Sequence, residues 1–259
     1  MKRYTVFLKQ VPRSTKVELD PDTHTLKRSS AVTQTNPDDL YALQAALDLK
    51  QKTGAEVVAV SMGPLSAETV LREALQRGAD RAILLSSPAF AGSDTWCTSL
   101  VLAAAVRKIG QCDLLFFGRM AIDGDTAQVG PEVAAHLDMP QVTGLIALED
   151  FSENSIRVSR KCGDKTQHLE IDIPCAVMVS RENGKLACPT LAGWRRAQQQ
   201  EIVRWNETDL GLERSTVGLH ASPTQVVSTS VPQTAKSIQW FDGGQSASEM
   251  IHSFIQPSR

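Results

Sequence analysis

The residues DLLFFGRMAIDGDTAQVGP, numbers 113–131, decide the fold class. They open with a short run, 113–117, that is continuously apolar from Leu114 onward. Strands that are covered on both faces of a parallel sheet have this character. A loop containing glycines follows, and a short helix is predicted from Glu132 to Leu137. The order of strand, loop and helix is typical of an α/β fold.

Three similar apolar runs precede this stretch, at residues 4–8, 56–61 and 81–85. Helical patterns separate the runs, and they begin at Asn36, near Ser66 and at Asp94. This alternation predicts right-handed βαβ units and a doubly wound, mostly parallel sheet.

Charge and capping signals support the first two helices. Asn36 is a good N-cap, and Asp38 and Asp39 place negative charge against the positive helix end. The second helix offers two i,i+4 ion pairs, Glu68 with Arg72 and Glu73 with Arg77.

The pattern changes after residue 131. Residues 156–158 and 169–173 alternate between apolar and polar across a turn at 162–164, which predicts an antiparallel hairpin. One more buried strand is predicted at 175–179. Beyond residue 190 the core signal fades, since residues 215–239 are rich in Ser, Thr, Gln and Pro, and the last helix candidate spans 248–255. We predict an α/β domain over residues 1–190 and a flexible tail or partner-bound arm within 191–259.

Composition excludes several classes of function. The 259 residues are 42% hydrophobic, 5% aromatic and 22% charged, with a formal net charge of -2, so no general attraction to nucleic acid or anionic membrane is expected. No apolar run reaches the length of a membrane span, and the first residues lack the features of a signal peptide. The five cysteines are scattered without a Cys-x-x-Cys motif, which indicates neither zinc nor a disulfide framework. We expect a cytoplasmic protein.

The loop at 118–131 is the strongest candidate for a binding site. Its glycines permit close backbone approach, Thr126 and Gln128 offer hydrogen-bonding side chains, and amides at the start of the next helix suit a phosphate or pyrophosphate. Two alternatives stay open: Asp125 caps the helix, or Asp123 and Asp125 hold a divalent metal beside substrate phosphates. Neither the Rossmann glycine motif nor the P-loop motif occurs.

A catalytic set of side chains is not evident. The five histidines are dispersed and are expected to be surface or packing residues, at positions His24, His136, His168, His220 and His252. A nucleotide site without acid–base machinery suggests a carrier in which a cofactor performs the chemistry.

Several blocks together resemble the β subunit family of electron transfer flavoproteins, over residues 1–212. They are FLKQVP at 7–12, NPDDLYAL at 36–43, VSMGP at 60–64, REALQRGAD at 72–80 and, most specifically, GRMAIDGDTAQVGP at 118–131. The sequence of residues 123–131 resembles the bacterial branch that includes bifurcating members more than the mitochondrial AMP-binding form. Met120 departs from the family, which usually has glutamine there.

The resemblance implies an α/β nucleotide-binding subunit that pairs with an FAD-carrying α subunit, around which residues 191–259 would wrap. Its own site would hold AMP, or a second FAD that accepts hydride from NADH and bifurcates the electrons. Asn36 and the first strand would face adenine and ribose, and residues 124–130 would hold the phosphates. The residues implied at the cofactor are Phe7, Lys9, Asn36, Asp39, Met62, Gly63, Arg119, Asp123, Gly124, Asp125, Thr126, Ala127, Gln128 and Val129.

The family also has a recognition loop that docks a partner dehydrogenase. The residues PTLAGWRRA at 189–197 resemble it, and the resemblance implies Leu191 as the anchor. An apolar side chain flanked by arginines suits such a small docking site. The alternative is that Leu191 packs internally. The resemblance implies an electron carrier between a dehydrogenase and an acceptor; a stand-alone AMP or ATP sensor and a magnesium enzyme using Asp123 and Asp125 are the other hypotheses.

Overall fold

The computed structural model describes residues 2–13, 32–227, 248 and 251–252. The strands are β1 (Arg3–Phe7), β2 (Gln10–Pro12), β3 (Thr33–Thr35), β4 (Glu56–Met62), β5 (Arg81–Leu85), β6 (Leu114–Gly118), β7 (Gln141–Phe151), β8 (Ser155–Cys162), β9 (Lys165–Asp172), β10 (Cys175–Val179) and β11 (Ile202–Trp205). The α-helices are α1 (Pro37–Thr53), α2 (Glu68–Arg77), α3 (Thr95–Ile109), α4 (Val129–His136) and α5 (Leu191–Gln199).

Nine of the described strands form one sheet in the order β11-β5-β4-β1-β6-β10-β7-β8-β9. Neighbours are parallel from β11 to β7, and β8 and β9 continue the sheet in antiparallel fashion. The predicted doubly wound, mostly parallel sheet with a hairpin extension is confirmed. Strands β2 and β3 pair separately as a small antiparallel sheet.

The core has two layers because successive side chains of a strand point to opposite faces. In β4, Val57 and Ala59 belong to the apolar cluster that α1, α2 and α5 cover. Val58 and Val60 belong to the cluster on the other face, under α3 and α4. Both sets are fully buried, which explains why the parallel strands are apolar without alternation.

The cap of α1 and the ion pairs of α2 differ from the predictions. Asn36 occupies the N-cap position of α1, but its side chain makes no capping hydrogen bond. The pair Glu73–Arg77 forms at 2.7 Å, whereas the predicted pair of Glu68 with Arg72 is wrong. Glu68 instead pairs with Arg204 of β11, and Arg72 donates to backbone carbonyls at the end of α5, because those elements pack beside α2.

The structure beyond residue 190 continues the same compact unit, which extends to Gln225. Helix α5 packs on α2, and β11 adds a parallel edge strand next to β5. Residues that follow β11 are fastened to the start of α3, where Asp94 accepts hydrogen bonds of 2.9 Å from the amide and hydroxyl of Thr224. The predicted domain boundary at residue 190 therefore does not coincide with the end of this unit.

Most of the predicted C-terminal arm lies outside the described residues. Of the helix predicted at 248–255, residues 248, 251 and 252 are described and are helical. The wrapping of this segment around a partner stays a prediction. Within the described part of the chain, no helix has the length and apolar character needed to cross a membrane.

Candidate functional site

The chain switches sides of the sheet between β1 and β6. From β1 it moves outward to β4 and β5, and α3 then carries it back to β6, on the other side of β1. Ligands of open α/β sheets bind outside the carboxyl ends of the strands at such a switch. Phe7 and Phe117, near the ends of the two strands, stack with ring centroids 4.3 Å apart and are almost fully buried. Both rings belong to the apolar cluster that α3 and α4 cover.

Asn36 connects the start of α1 to the loop after β6. Its side chain is fully buried, and its Nδ2 donates to Asp39 Oδ1 at 2.8 Å and to the Met120 carbonyl at 2.9 Å. The amide of Ile122 donates to Asn36 Oδ1 at 3.2 Å. Both N–H groups of the side chain are therefore used within the protein, so we infer that Asn36 shapes the site through the loop.

Asp39 is held between the same elements. Its Oδ1 accepts from Asn36, and its Oδ2 accepts from the Lys9 amide at 2.7 Å. Burial raises the pKa of Asp39 to about 7, against these hydrogen bonds, which lower it. A Cβ at Gly118 would lie 2.3 Å from Asp39 Oδ1, so this close approach of β6 to α1 requires glycine.

Lys9 and Asp123 bridge the switch in strand order. Lys9 Nζ lies 2.8 Å from Asp123 Oδ1, which joins the residue after β1 to the loop after β6. This ion pair offsets one of the two negative charges that would repel a phosphate at the loop. It also occupies one oxygen of Asp123, one of the two aspartates considered as metal ligands.

A row of backbone amides is available at the end of the loop. The N–H groups of Thr126, Ala127, Gln128 and Val129 have no hydrogen-bond partner among the described residues. Residues 123–128 are exposed, and Asp125 and Ala127 have φ values of 49° and 53°, so the backbone alternates in handedness just before α4. Consecutive amides in such a loop at a helix start form a concave anion site. The donor set fits the phosphate of a nucleotide.

The structure bears on both alternatives for the aspartates, a helix cap at Asp125 and a metal site at Asp123 and Asp125. The prediction that Asp125 caps the helix is wrong, because Gln128 occupies the N-cap position and α4 begins without a side-chain capping bond. Over residues 2–13 and 32–227, no group of three or more His, Cys, Asp or Glu side chains is arranged to hold a metal ion.

The other residues implied at the cofactor lie at the same edge of the sheet. Met62 ends β4 and is half-buried, and the Gly63 amide donates to the Leu85 carbonyl at 3.0 Å. Arg119 follows β6 and is about half exposed. The residues predicted from the sequence, from Phe7 to Val129, are thus brought to the switch between β1 and β6.

Two residues of this edge were missed. Asp38 is fully buried, and its carboxylate accepts a hydrogen bond from Arg181 Nε, just after β10. Arg119 Nε lies 3.7 Å from the same carboxylate. An aspartate in the first turn of a helix normally predicts an exposed side chain, so the sequence carried no signal for this buried contact.

The predicted recognition loop is a helix for most of its length. Thr190 caps α5 by accepting from the Gly193 amide at 3.0 Å, and Gly193 lies against the Gln76 carbonyl of α2. Leu191 is 66% exposed and Trp194 is 50% exposed. The alternative that Leu191 packs internally is therefore wrong: α5 buries its other face and presents these two side chains to solvent.

Neither the described histidines nor the cavity beside α1 points to a different site, and His24 lies outside the described residues. His136 Nε2 lies 3.2 Å from Ser99 Oγ between α3 and α4, and His168 Nδ1 lies 2.7 Å from Glu149 Oε1 on the hairpin. A cavity of about 670 Å³ is lined by the second half of α1 and by β7. It lies at the opposite edge of the sheet from the amide row, since α1 starts at the carboxyl edge and ends at the other.

Comparisons with known proteins agree with this geometry. A family model described as the electron transfer flavoprotein domain matches residues 23–210. The caffeyl-CoA reductase-Etf complex subunit CarD of Acetobacterium woodii is 43% identical over 225 residues, which cover 86% of each chain. The electron transfer flavoprotein subunit beta of Thermoanaerobacterium thermosaccharolyticum is 41% identical over 92% of this chain and 91% of the relative.

Protein FixA of Azorhizobium caulinodans is also similar, with 44% identity over 85% of this chain and 81% of the relative. The family match covers most of the sheet and the whole loop from Gly118 to Pro131. The names of these relatives give no support to a stand-alone nucleotide sensor. These matches show that the chain belongs to the electron transfer flavoprotein family.

Proposed function

We propose that the chain is the β subunit of a heterodimeric electron transfer flavoprotein and binds an adenine nucleotide at the switch between β1 and β6. The observation that carries this proposal is the row of amides at residues 126–129, at the start of α4, which have no hydrogen-bond partner in the described part of the chain. Two relatives of similar length are named as this β subunit, which supports the assignment. Electrons would pass from a dehydrogenase to an acceptor through flavin, which supplies the redox chemistry.

The residues of the site take distinct parts in this proposal. The amides of residues 126–129 bind the phosphate, and Thr126 and Gln128 add side-chain donors. Lys9 offsets the charge of Asp123 beside that phosphate. Asn36 and Asp39 act indirectly, because their polar atoms already bind the loop and the end of β1. The chain needs no acid–base residue of its own.

The nucleotide is either AMP or a second FAD, and the number of FAD and AMP molecules per heterodimer decides between them. The α and β subunits are purified together and denatured, and the released nucleotides are quantified by chromatography. One FAD and one AMP per heterodimer indicate a simple carrier. Two FAD molecules indicate that the β site holds a flavin that can accept hydride from NADH and bifurcate the electrons. A heterodimer with one FAD and no second adenine nucleotide contradicts the proposal.

The exposed face of α5 is proposed as the docking site for a dehydrogenase. Leu191 and Trp194 are three residues apart, so they lie on one face, and Arg195 is exposed beside them. Leu191→Ala should lower the rate of electron transfer from the dehydrogenase about tenfold or more, with nucleotide content unchanged. Leu219→Ala, which also shortens an exposed leucine, is the control. Equal rates for the Leu191 variant and wild type would exclude this docking site.

The compartment is also a proposal. We infer a cytoplasmic location because the five cysteines are scattered, without the pattern typical of disulfide-bonded secreted proteins. The magnesium alternative would be supported if chelation abolished nucleotide binding, but the pairing of Asp123 with Lys9 argues against it.

A further inference from the structure

We propose that Arg119 and Arg181 form a phosphate-binding pair, held in place by Asp38, at the carboxyl ends of β6 and β10. This proposal rests on the proposed function, since the phosphate is that of the nucleotide in the same site. It assigns a role to Asp38 and Arg181, which neither the sequence motifs nor the resemblance implied.

The backbone places the two arginines next to each other. Strands β6 and β10 are parallel neighbours, and Gly118 is opposite Val179 in the register. The Arg119 amide donates to the Val179 carbonyl at 3.0 Å, which extends the pairing by one step. Arg181 follows two residues later, so both side chains leave the same edge of the sheet.

Asp38, in the first turn of α1, holds the two guanidinium groups in place. Its side chain has no exposed surface, and Oδ1 accepts from Arg181 Nε. Oδ2 lies 3.7 Å from Arg119 Nε and has no hydrogen-bond partner among the described residues. A buried carboxylate with an unpartnered oxygen is costly unless positive charge lies close to it, so Asp38 holds both arginines near itself.

The charge of this group is not balanced. One carboxylate faces two guanidinium groups, which leaves a net charge of about +1 at the edge. The side chains of Arg119 and Arg181 are 49% and 52% exposed. Arg181 uses only its Nε, and the Arg119 guanidinium donates to no acceptor among the described residues, so N–H groups of both are available to a ligand. The planar fork of arginine matches the oxygens of phosphate.

The position of the pair indicates which anion it takes. Arg119 begins the loop that ends in the amide row at 126–129, and Asn36 fixes that loop at Met120 and Ile122. Arg119 and the amides thus belong to one loop, and Arg181 lies beside Arg119 because β10 is the parallel neighbour of β6, at the edge where nucleotides bind. The ligand chemistry is a phosphate oxyanion, supplied by the nucleotide itself or by free inorganic phosphate.

The test compares ligands that differ in phosphate. Dissociation constants of adenosine, AMP and ADP are measured by calorimetry on the complex of α and β subunits, stripped of the β-site nucleotide. Three variants are compared with wild type: Arg119→Gln, the charge-neutral double variant Asp38→Asn/Arg181→Gln, and Arg204→Gln. The double variant avoids a buried unpaired carboxylate, and Arg204 is the control because it is a half-exposed arginine paired with Glu68.

We expect Arg119→Gln and the double variant to bind AMP or ADP about tenfold more weakly, as loss of a charge-assisted contact predicts. Adenosine should bind all proteins equally, and Arg204→Gln should match wild type. If inorganic phosphate competes with AMP for wild type but not for the variants, the pair also binds free phosphate.

Two results separate this proposal from the proposed function. If wild type and the variants bind AMP and ADP equally, the arginine pair is not a phosphate site, and the proposed function stands. The same conclusion follows if the variants only weaken assembly with the α subunit, which would assign the arginines to a carboxylate of that protein. If wild type binds no adenine nucleotide, the proposed function fails, and phosphorus NMR with inorganic phosphate then decides whether the pair binds an anion.

Discussion

Burial raises the pKa of the Asp39 carboxyl to about 7, although Asn36 and the Lys9 amide donate hydrogen bonds to it. The sequence identified Asn36 and Asp39, but it predicted a cap and a helix-dipole charge. Their buried roles depend on the close approach of Gly118, which brings β6 against the first turn of α1. That approach is a tertiary contact between residues about 80 positions apart, and local patterns do not contain it.

The raised pKa makes stability depend on pH at this residue. An unfolded aspartate titrates near pH 3.9, so the folded state binds the proton more tightly. The stability contributed by the protonated group is fully present below about pH 4 and is lost as the pH rises through about 7. Asp39→Asn, which mimics the protonated acid, should remove this loss.

Denaturant unfolding at pH 5 and pH 8 measures the effect. The free energy of unfolding of wild type should fall by on the order of 2 kcal/mol more than that of Asp39→Asn over this interval. Asp48→Asn, on the exposed side of the same helix, is the control and should follow wild type. Parallel pH profiles for wild type and the Asp39 variant would contradict the raised pKa.

At the scale of elements, periodicity predicted α1 to α4 and the hairpin because each has a long or strongly alternating pattern. It did not predict β11, since Ile202–Trp205 has only four residues and is partly exposed at the edge of the sheet. Helix α5 was predicted as a loop for a similar reason: only Gly193 and Ala197 of its nine residues are buried. Both elements are held by tertiary contacts with α2 and β5.

Arg72 is the contact that holds the end of α5. Its Nη1 donates to the carbonyls of Ala197 and Gln200, the latter at 2.7 Å, and so satisfies groups that a helix end leaves unpaired. Arg72→Gln should speed amide hydrogen exchange in α5 by about tenfold, in line with the loss of about 1 to 2 kcal/mol of local stability. Glu68→Gln should have no such effect, because Glu68 pairs with Arg204. Equal acceleration in both variants would restore the predicted Glu68–Arg72 pair.

At the scale of the whole molecule, the strand order places β1 between β4 and β6 and so creates one switch point at the carboxyl edge. The sequence predicted this arrangement because four buried strands alternate with helices, and it predicted the loop at 118–131 because glycines and polar residues follow a strand. The carboxylate between Arg119 and Arg181 was not predictable, since β10 follows β6 only after the intervening α4 and hairpin. The site is thus assembled from segments that span residues 7 to 181.

The central claim is that the amides of residues 126–129 bind the phosphate of an adenine nucleotide. The most direct measurement is amide NMR on the isotope-labelled β chain in its complex, titrated with AMP and, separately, with adenosine. We predict that AMP shifts the resonances of Thr126 to Val129 strongly, that adenosine shifts them much less, and that neither ligand moves the amides of α5. Binding of AMP with the amides of residues 126–129 unmoved would contradict the account.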